Sequence, residues 1–170
     1  VLVHGRDRTK GEAVVEQLRE SNAGADLYLA SFEEMDTVAD VGKSIAADCD
    51  HLDVLVNNAG GYLADRTLTA DNIERTFAVN HLAPFVLTAT LLPELRAGSG
   101  RIVTVSSEAH RGGDIPISET SERGDSKWDL VLDLQALRST VGASGWEAYC
   151  RSKLANVLFT RELAERLDPT

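Results

Sequence analysis

Short apolar runs alternate with longer amphipathic stretches along this chain. The apolar runs lie at residues 1–4, 26–30, 53–57 and 101–105, and each has the length of a short buried strand. Gly, Asn or Ser residues follow most of these runs and are typical of the turns that end a strand. The pattern therefore predicts four short strands.

The stretches between the runs repeat their apolar residues at helical spacing. They predict helices at about residues 9–20, 35–47, 69–95 and 145–167. Thr69 is a suitable N-cap for the third and longest helix. Pro84 lies inside that helix and predicts a kink or a break, because proline donates no backbone hydrogen bond.

Strands that alternate with helices in this order indicate βαβ units and a parallel sheet buried on both faces. We therefore expect an α/β fold in one domain over residues 1–170. Residues 110–145 are irregular and rich in Gly, Ser, Asp and Glu, with one short helix predicted near residues 130–139. This stretch is longer than ordinary connections. A substrate loop and a tolerated surface insertion both fit it.

The charge balance narrows the classes of partner. The chain carries 27 acidic residues against 17 Lys and Arg, for a net charge of −10. This argues against nucleic acid and anionic membrane surfaces, which need basic patches. The two cysteines form no CxxC pair, and the four histidines lack the spacing of metal ligands. We expect no metal site. The sequence also contains no apolar run of the ~18 residues that a membrane span requires.

The most informative candidate chemistry is the pair Tyr149 and Lys153, four residues apart in the last predicted helix. Residues i and i+4 lie on one face of a helix. A neighbouring cation stabilises a phenolate, and so brings the phenol closer to proton transfer near neutral pH. Taken alone, the pair also fits an ordinary surface contact on a helix.

Three further features lie where a ligand could meet this pair. Asn57-Asn58-Ala59-Gly60 follows the third strand, and Ser106-Ser107 follows the fourth, at the carboxyl edge where open α/β sheets bind ligands. Asn80 lies in the third helix, near Pro84. An irregularity in that helix would free backbone groups to hold a water. A simple turn is the alternative for the Asn-Gly segment, because these residues form turns.

Together these motifs resemble the short-chain dehydrogenase/reductase family. The resemblance rests on Asn57-Asn58-Ala59-Gly60, Val79-Asn80-His81 with Pro84-Phe85, residues 101–107 and Tyr149-x-x-x-Lys153, in the order the family has them. Residues 149–163 and Ser107-Glu108-Ala109-His110 are similar to the retinol dehydrogenase and WW-domain oxidoreductase branch. The resemblance implies a Rossmann-type, doubly wound parallel sheet.

The resemblance also implies roles for four catalytic residues. Tyr149 would be the general acid that protonates a carbonyl oxygen. Lys153 would lower the pKa of Tyr149, and both residues would contact the nicotinamide ribose. Ser107 would orient the carbonyl, and Asn80 would hold a water in a proton relay. Asn58, Ala59 and Gly60 would line the cofactor.

Arg6 follows the first strand, where the resemblance places the adenosine ribose. An Arg there accommodates a 2′-phosphate, so we expect NADP rather than NAD. A solvated turn is the alternative for Arg6. Ser31 and Phe32 stand where relatives carry an Asp that contacts adenine, and Ser31 keeps the hydrogen bond without the charge.

The family's first strand, glycine-rich turn and first helix have no counterpart here, and neither do the strands after the catalytic helix. That missing first part amounts to roughly 30 residues. In the strand order 3-2-1-4-5-6 the first strand is central, so its absence would leave two inner edges unpaired. We therefore expect a partial domain over residues 1–170, from a complete enzyme. We also expect doubtful activity for the isolated chain.

The resulting hypothesis is an NAD(P)-dependent oxidoreductase that interconverts an alcohol and a carbonyl. Its substrate would be a small, hydrophobic carbonyl or alcohol, and its location the cytoplasm. The alternative is a truncated, inactive product that acts, if at all, through protein contacts. Homo-oligomerisation is left open, as is membrane attachment through an N-terminal segment.

Overall fold

The computed structural model describes residues 1–115 and 144–167. The short helix predicted near residues 130–139 lies outside the described residues. The strands and helices of the described part are β1 (Leu2–Gly5), α1 (Arg8–Glu20), β2 (Asp26–Leu29), α2 (Met35–Asp48), β3 (Val54–Asn57), α3 (Arg75–Phe77), a π-helix (Ala78–Leu82), α4 (Ala83–Thr90), α5 (Leu92–Ala97), β4 (Arg101–Thr104), a 3₁₀ helix (Glu108–Gly112) and α6 (Gly145–Leu167).

The chain falls into two compact units. The first comprises Val1–Leu55 and Ala83–Ile102, and the second comprises Val56–Leu82 and Val103–Thr170. The expectation of one partial domain over residues 1–170 stays a prediction.

In the first unit, β1 and β2 pair in parallel, from Leu2 opposite Asp26 to Gly5 opposite Leu29. The helix between them, α1, packs on both strands. It begins at Asp7, whose carboxylate accepts a hydrogen bond from the Lys10 amide and caps the helix. Helices α2 and α4 pack together in the same unit.

In the second unit, α6 packs against the π-helix, α3 and the 3₁₀ helix. A capping box starts α6. The Ser144 amide donates to Glu147 Oε2 at 2.7 Å, and the Glu147 amide donates to Ser144 Oγ at 3.3 Å. Among the described residues of this unit, the buried apolar side chains are Phe77, Ala78, Leu82, Ala148, Cys150, Ala155, Phe159 and Leu163.

Strands β3 and β4 form a second two-stranded sheet. The Arg101 amide donates to the Asp53 carbonyl at 2.8 Å, and the Val105 amide donates to the Asn57 carbonyl at 2.9 Å. From the first bond to the second, the residue number rises by the same amount in β3 and in β4, so the two strands are parallel. The segments that follow β3 and β4 therefore leave from the same edge, as the sequence predicted.

The prediction of four short strands and of parallel α/β architecture is confirmed, with strand ends within one residue of those expected. The expected burial of the sheet on both faces is wrong, because Asn57 is the only buried residue in the four strands of the described part. The prediction that the third helix begins near Thr69 is wrong. Helix α3 begins only at Arg75, and the buried Glu74 carboxylate caps it by accepting from the Thr76 and Phe77 amides. Thr69 instead forms a turn, in which its amide donates to the Ile73 carbonyl at 2.8 Å.

The irregularity predicted near Pro84 is confirmed. The helix widens into a π-helix over Ala78–Leu82, immediately before α4, and breaks again before Leu92. Pro84 has no N–H to donate to the carbonyl four residues earlier, which belongs to Asn80. π-Helical turns of this kind occur frequently at functional sites.

None of the helices in the described residues combines the length and the apolar character that crossing a membrane requires. Within residues 1–115 and 144–167, no group of three His, Cys, Asp or Glu side chains is arranged to hold a metal ion.

Candidate active site

Tyr149 and Lys153 lie on one face of α6. Lys153 Nζ is 5.7 Å from the centroid of the Tyr149 ring. Tyr149 is half-buried, and Lys153 is only 5% exposed. Burial lowers the pKa of the Lys153 ammonium, because the charged form loses hydration. One of its N–H groups donates to the Val105 carbonyl at 3.3 Å, just beyond β4.

The two serines after β4 have different partners. Ser106 Oγ donates to the carbonyl of Lys153 at 2.8 Å and so ties β4 to α6. Ser107 Oγ accepts from the Ala109 amide at 3.2 Å and caps the 3₁₀ helix. That bond uses the oxygen of Ser107, so its hydroxyl hydrogen can be donated to a substrate oxygen. Ser107 is therefore the better candidate of the two to orient a carbonyl.

Asn80 is 1% exposed, and its side chain holds the segment after β3. Its Oδ1 accepts from the Gly61 amide at 2.9 Å, and its Nδ2 donates to the Gly61 carbonyl at 3.0 Å. Nδ2 also donates to Ser152 Oγ at 3.0 Å. The amide is thus occupied, and a water held by Asn80 would have to bind its backbone carbonyl.

The segment Asn58, Ala59 and Gly60 is exposed. A Cβ atom at Gly60 would lie 2.6 Å from Asn80 Oδ1, too close for any other residue without a shift. Small residues here leave the backbone open to a flat ligand. An open backbone here is what we predicted from the sequence, because the segment lies at the carboxyl edge of the sheet.

Two aromatic side chains stand beside Tyr149. The ring of Tyr62 packs edge to face against that of Tyr149, with 5.8 Å between ring centroids. The ring centroid of Trp146 also lies 5.8 Å from that of Tyr149. Tyr62 and Trp146 also contact each other at 5.9 Å. Their side chains are 52% and 55% exposed, which is high for large aromatic groups. They form an accessible aromatic surface next to the candidate general acid.

Sequence reasoning missed Asn156 and His81. Asn156 is 3% exposed, its Nδ2 donates to the Asn80 carbonyl at 3.0 Å, and its Oδ1 lies 3.0 Å from His81 Nδ1. The ring of His81 contacts those of Phe77 and Phe159. A signal was available, because Asn156 follows Lys153 by three residues and Tyr149 by seven, on the same helical stripe.

The remaining predicted residues belong to the first unit. Arg6 follows β1, and its guanidinium lies 3.6 Å from Glu33 Oε1, with 70% of its side chain exposed. Ser31 Oγ accepts from the Glu33 amide at 3.3 Å. Phe32 is buried and stacks on His4 at 4.1 Å between ring centroids. Because β1 and β2 are parallel, all these residues leave from one edge of their sheet.

The predicted site residues thus form two groups. Asn58, Ala59, Gly60, Asn80, Ser107, Tyr149 and Lys153 lie in the second unit, whereas Arg6, Ser31 and Phe32 lie in the first. Within the second unit, hydrogen bonds and ring contacts connect the segment after β3, the π-helix, the end of β4 and α6. This arrangement places a buried ammonium, a phenol and a serine hydroxyl on neighbouring elements. Such a set can donate and accept a proton at a substrate oxygen.

Comparison with known proteins defines the class. The family model described as short chain dehydrogenase matches residues 1–122. The chain therefore belongs to the short-chain dehydrogenase/reductase family of oxidoreductases.

Within that family, the chain is similar to retinol dehydrogenases, as the sequence motifs indicated. It is 36% identical to Retinol dehydrogenase 12 of Homo sapiens, with all of this chain and 49% of that protein covered. It is also 36% identical to Retinol dehydrogenase 14 of Mus musculus, with all of this chain and 50% of that protein covered. The chain thus spans about half the length of these curated relatives.

Solved structures agree on the fold. A crystal structure of an uncharacterised protein from Mycobacterium paratuberculosis matches with a TM-score of 0.70 at 34% identity, over 98% of this chain and 53% of that one. A metagenomic short-chain oxidoreductase in complex with NADP matches with a TM-score of 0.70 at 23% identity, over 98% and 64% of the two chains. The second likeness supports the Rossmann-type fold alone.

Gly60→Ala is expected to lower the free energy of unfolding by about 1–3 kcal/mol, because the new methyl group overlaps Asn80 Oδ1. Gly61→Ala is the matched control, since nothing lies within 4 Å of a Cβ atom at that position. It should change stability by less than about 0.5 kcal/mol. Urea unfolding of both variants measures the difference, and equal losses would contradict the close approach at Gly60.

Stability should fall as the pH drops through the titration range of His81. Burial lowers the pKa of His81 from 6.5 to about 4, so the unfolded chain binds this proton more readily than the folded one. The contribution of neutral His81 to the free energy of unfolding is complete above pH 6.5. As the pH falls to about 4, this contribution is lost progressively, and the free energy of unfolding decreases by about 3 kcal/mol.

His81→Gln removes the titrating group, so its stability should depend less on pH over this interval than that of the wild type. Denaturant unfolding of both chains at several pH values measures the difference. His4 is half-buried and also has a lowered pKa, but it is present in both chains, so its contribution cancels. Parallel pH curves for the two chains would show that His81 is not buried in the neutral form.

Proposed function

We propose that this chain carries the catalytic centre of an oxidoreductase that interconverts an alcohol and a carbonyl, with Tyr149 as the general acid or base. One observation carries the proposal: the buried Lys153 ammonium lies 5.7 Å from the Tyr149 ring, on the same face of α6. The phenol hydroxyl of Tyr149 can donate or accept a proton, and the ammonium beside it would contact the same ligand.

The neighbouring groups fit the charge that develops during reduction of a carbonyl. Negative charge grows on the carbonyl oxygen, and a positioned proton donor must neutralise it. Tyr149 would give its proton to that oxygen, while Ser107 would hold the oxygen with its hydroxyl hydrogen. In the oxidation direction Tyr149 would take the proton from the alcohol. The backbone carbonyl of Asn80 would hold a water that returns a proton to the pair.

The residues around the pair also fit the ribose end of a nicotinamide cofactor. Among its partners in the described residues, Lys153 Nζ donates to the Val105 carbonyl, which leaves two N–H donors for ribose hydroxyls. The exposed backbone of Asn58, Ala59 and Gly60 would lie along the same ligand. When bound, the cofactor would supply or accept the hydride.

NADP is the cofactor that Arg6 favours. Its side chain is 70% exposed at the carboxyl edge of β1, and a guanidinium binds a phosphate with two hydrogen bonds. Glu33 lies 3.6 Å from Arg6 and would have to release it, at least in part, to a 2′-phosphate. Ser31 and the backbone of Phe32 would meet the adenine, since the ring of Phe32 is buried against His4.

A hydrophobic carbonyl is the substrate class that the aromatic surface supports. Tyr62 and Trp146 present exposed rings beside Tyr149, so the apolar part of a substrate held at the phenol would pack on them. The relatives named retinol dehydrogenases are consistent with an apolar alcohol or aldehyde.

One observation favours a second candidate, action through protein contacts without turnover. Val54 and Val56 of β3 are 54% and 56% exposed, and Val103 of β4 is 39% exposed. Exposed apolar strand residues can pair with another chain. Titration of the purified 170-residue chain with NADPH tests this alternative: saturable binding with reduction of an apolar aldehyde would refute it, and would also refute the expectation of doubtful activity for the isolated chain.

Tyr149→Phe is expected to lower turnover by roughly 10²–10⁴-fold, because it removes the proton donor and keeps the ring. Cofactor affinity should change little, since Lys153 remains. Tyr28→Phe is the control, because it removes a phenol that donates to Asp48 in the first unit. Steady-state rates and NADPH fluorescence titration measure both effects. Turnover that survives in Tyr149→Phe would refute the general-acid assignment.

Arg6→Asp should shift the cofactor preference from NADP towards NAD by about tenfold or more, since a carboxylate repels a 2′-phosphate. Arg8→Asp is matched in exposure, at 70% of the side chain, but Arg8 pairs with Glu12 within α1. That variant should leave the ratio within about twofold, well under the ~1.4 kcal/mol of a tenfold change. Dissociation constants for both cofactors measure the shift, and an unchanged ratio in Arg6→Asp would rule out the phosphate contact.

A further inference from the structure

The side-chain amide of Asn156 links three elements of the second unit. Its Nδ2 donates to the Asn80 carbonyl of the π-helix at 3.0 Å and to the Val105 carbonyl beyond β4 at 3.4 Å. Its Oδ1 faces His81 Nδ1 at 3.0 Å. Asn156 itself lies on α6, three residues after Lys153, and is 3% exposed. A buried polar side chain destabilises the folded state unless its donors and acceptors have hydrogen-bond partners.

These partners determine which way the amide points. Two of them are backbone carbonyls, which only accept, so the NH₂ group must face them. The oxygen of the amide then faces His81, and Nδ1 of His81 must carry a hydrogen to donate to it. His81 is therefore fixed as the Nδ1–H tautomer. Its neutral form is favoured, because the buried ring contacts Phe77 and Phe159.

The two carbonyls are those on which the candidate catalytic residues depend. Lys153 Nζ donates to the Val105 carbonyl at 3.3 Å, so the ammonium and the Asn156 amide share one acceptor. The Asn80 carbonyl cannot receive its α-helical hydrogen bond, because residue 84 is a proline. Asn156 supplies a donor to it instead.

We propose that Asn156, oriented by His81, is a positioning residue that fixes the Val105 and Asn80 carbonyls and thereby sets the place of the Lys153 ammonium beside Tyr149. The consequence for catalysis rests on the proposed function, whereas the arrangement itself does not. Asn156 touches neither the substrate nor the reacting atoms. It acts because a movement of the Val105 carbonyl moves the ammonium bound to it.

The first test is spectroscopic and needs no turnover. In the ¹⁵N-labelled 18.4 kDa chain, imidazole shifts and couplings should report His81 as the Nδ1–H tautomer at neutral pH. An Nε2–H tautomer in the wild type would overturn the proposal, because the amide of Asn156 would then point the other way. This measurement requires no variant to fold.

The second test follows the ammonium. Asn156→Leu keeps nearly the same volume but removes all three hydrogen bonds, so the ¹⁵Nζ signal of Lys153 should shift or broaden. Leu163→Ala is the matched control, since it lowers stability from another buried position of α6 and leaves the hydrogen bonds in place. An unchanged Lys153 signal in Asn156→Leu, or an equal change in Leu163→Ala, would overturn the proposal.

The kinetic test separates positioning from folding. Asn156→Leu should lower kcat by about tenfold or more and weaken cofactor binding, because the ammonium that moves serves both Tyr149 and the proposed ribose contact, while KM for the carbonyl substrate stays within about twofold. Leu163→Ala should lower the melting temperature but keep kcat. His81→Gln, whose amide can still donate to Asn156, should retain most of the kcat that His81→Leu loses. A kcat in Asn156→Leu within twofold of the wild type would overturn the proposal.

The outcomes also separate this inference from the proposed function. Turnover that survives in Tyr149→Phe refutes the proposed function, and the two spectroscopic tests then decide the positioning role alone. Normal turnover with an unperturbed Lys153 in Asn156→Leu refutes the positioning role and leaves the function intact.

Discussion

A buried ammonium is the constraint on which the second unit depends. Lys153 is almost inaccessible, and desolvation disfavours its charged form. The structure compensates with a backbone carbonyl at the end of β4 and with the ring of Tyr149 on the preceding turn. This charge therefore requires β4 and α6 to keep a fixed register. A second hydrogen bond, from Ser106 Oγ after β4 to the Lys153 carbonyl of α6, holds the same register.

The surrounding polar groups follow from a second constraint, the interruption of the helix before Pro84. A π-helix leaves backbone groups without their ordinary partners, and side chains from α6 supply replacements. Asn80 in turn uses its own side chain to hold Gly61 through both its oxygen and its nitrogen. The π-helix and the segment around Gly61 are thus each bound by a buried side-chain amide. These amides connect the π-helix to the two segments that border the candidate site.

Much of the fold could be predicted because periodicity reports burial. The four strands and the helices α1, α2 and α6 appear in the pattern of apolar residues. The start of α3 could not be predicted in this way, because Thr69 is a preferred N-cap residue and Glu74 is not. The turn from Thr69 to Ile73 and the cap at Glu74 are visible only in the structure. The short helix near residues 130–139 stays a prediction. The separation of the chain into two units depends on long-range packing, which local patterns do not report.

The candidate catalytic residues were accessible to sequence reasoning because motifs carry them, whereas their supporting contacts were not. Tyr149 and Lys153 share a helix face by spacing alone. Asn156 falls on the same face, but its partners are backbone carbonyls and a histidine far away in sequence. Those partners become visible only in three dimensions. Sequence motifs therefore identify the candidate catalytic groups more readily than they identify the groups that hold those side chains in place.

The acceptor for the Lys153 ammonium belongs to the main chain, and this has a consequence for genetics. The side chain of Val105 is 37% exposed and takes no part in the contact that its peptide oxygen makes. Every amino acid offers the same oxygen at that position. Replacing residue 105 by each of the other amino acids would therefore leave this backbone carbonyl in place. A mutational scan would then show residue 105 as tolerant, although the candidate site depends on its carbonyl.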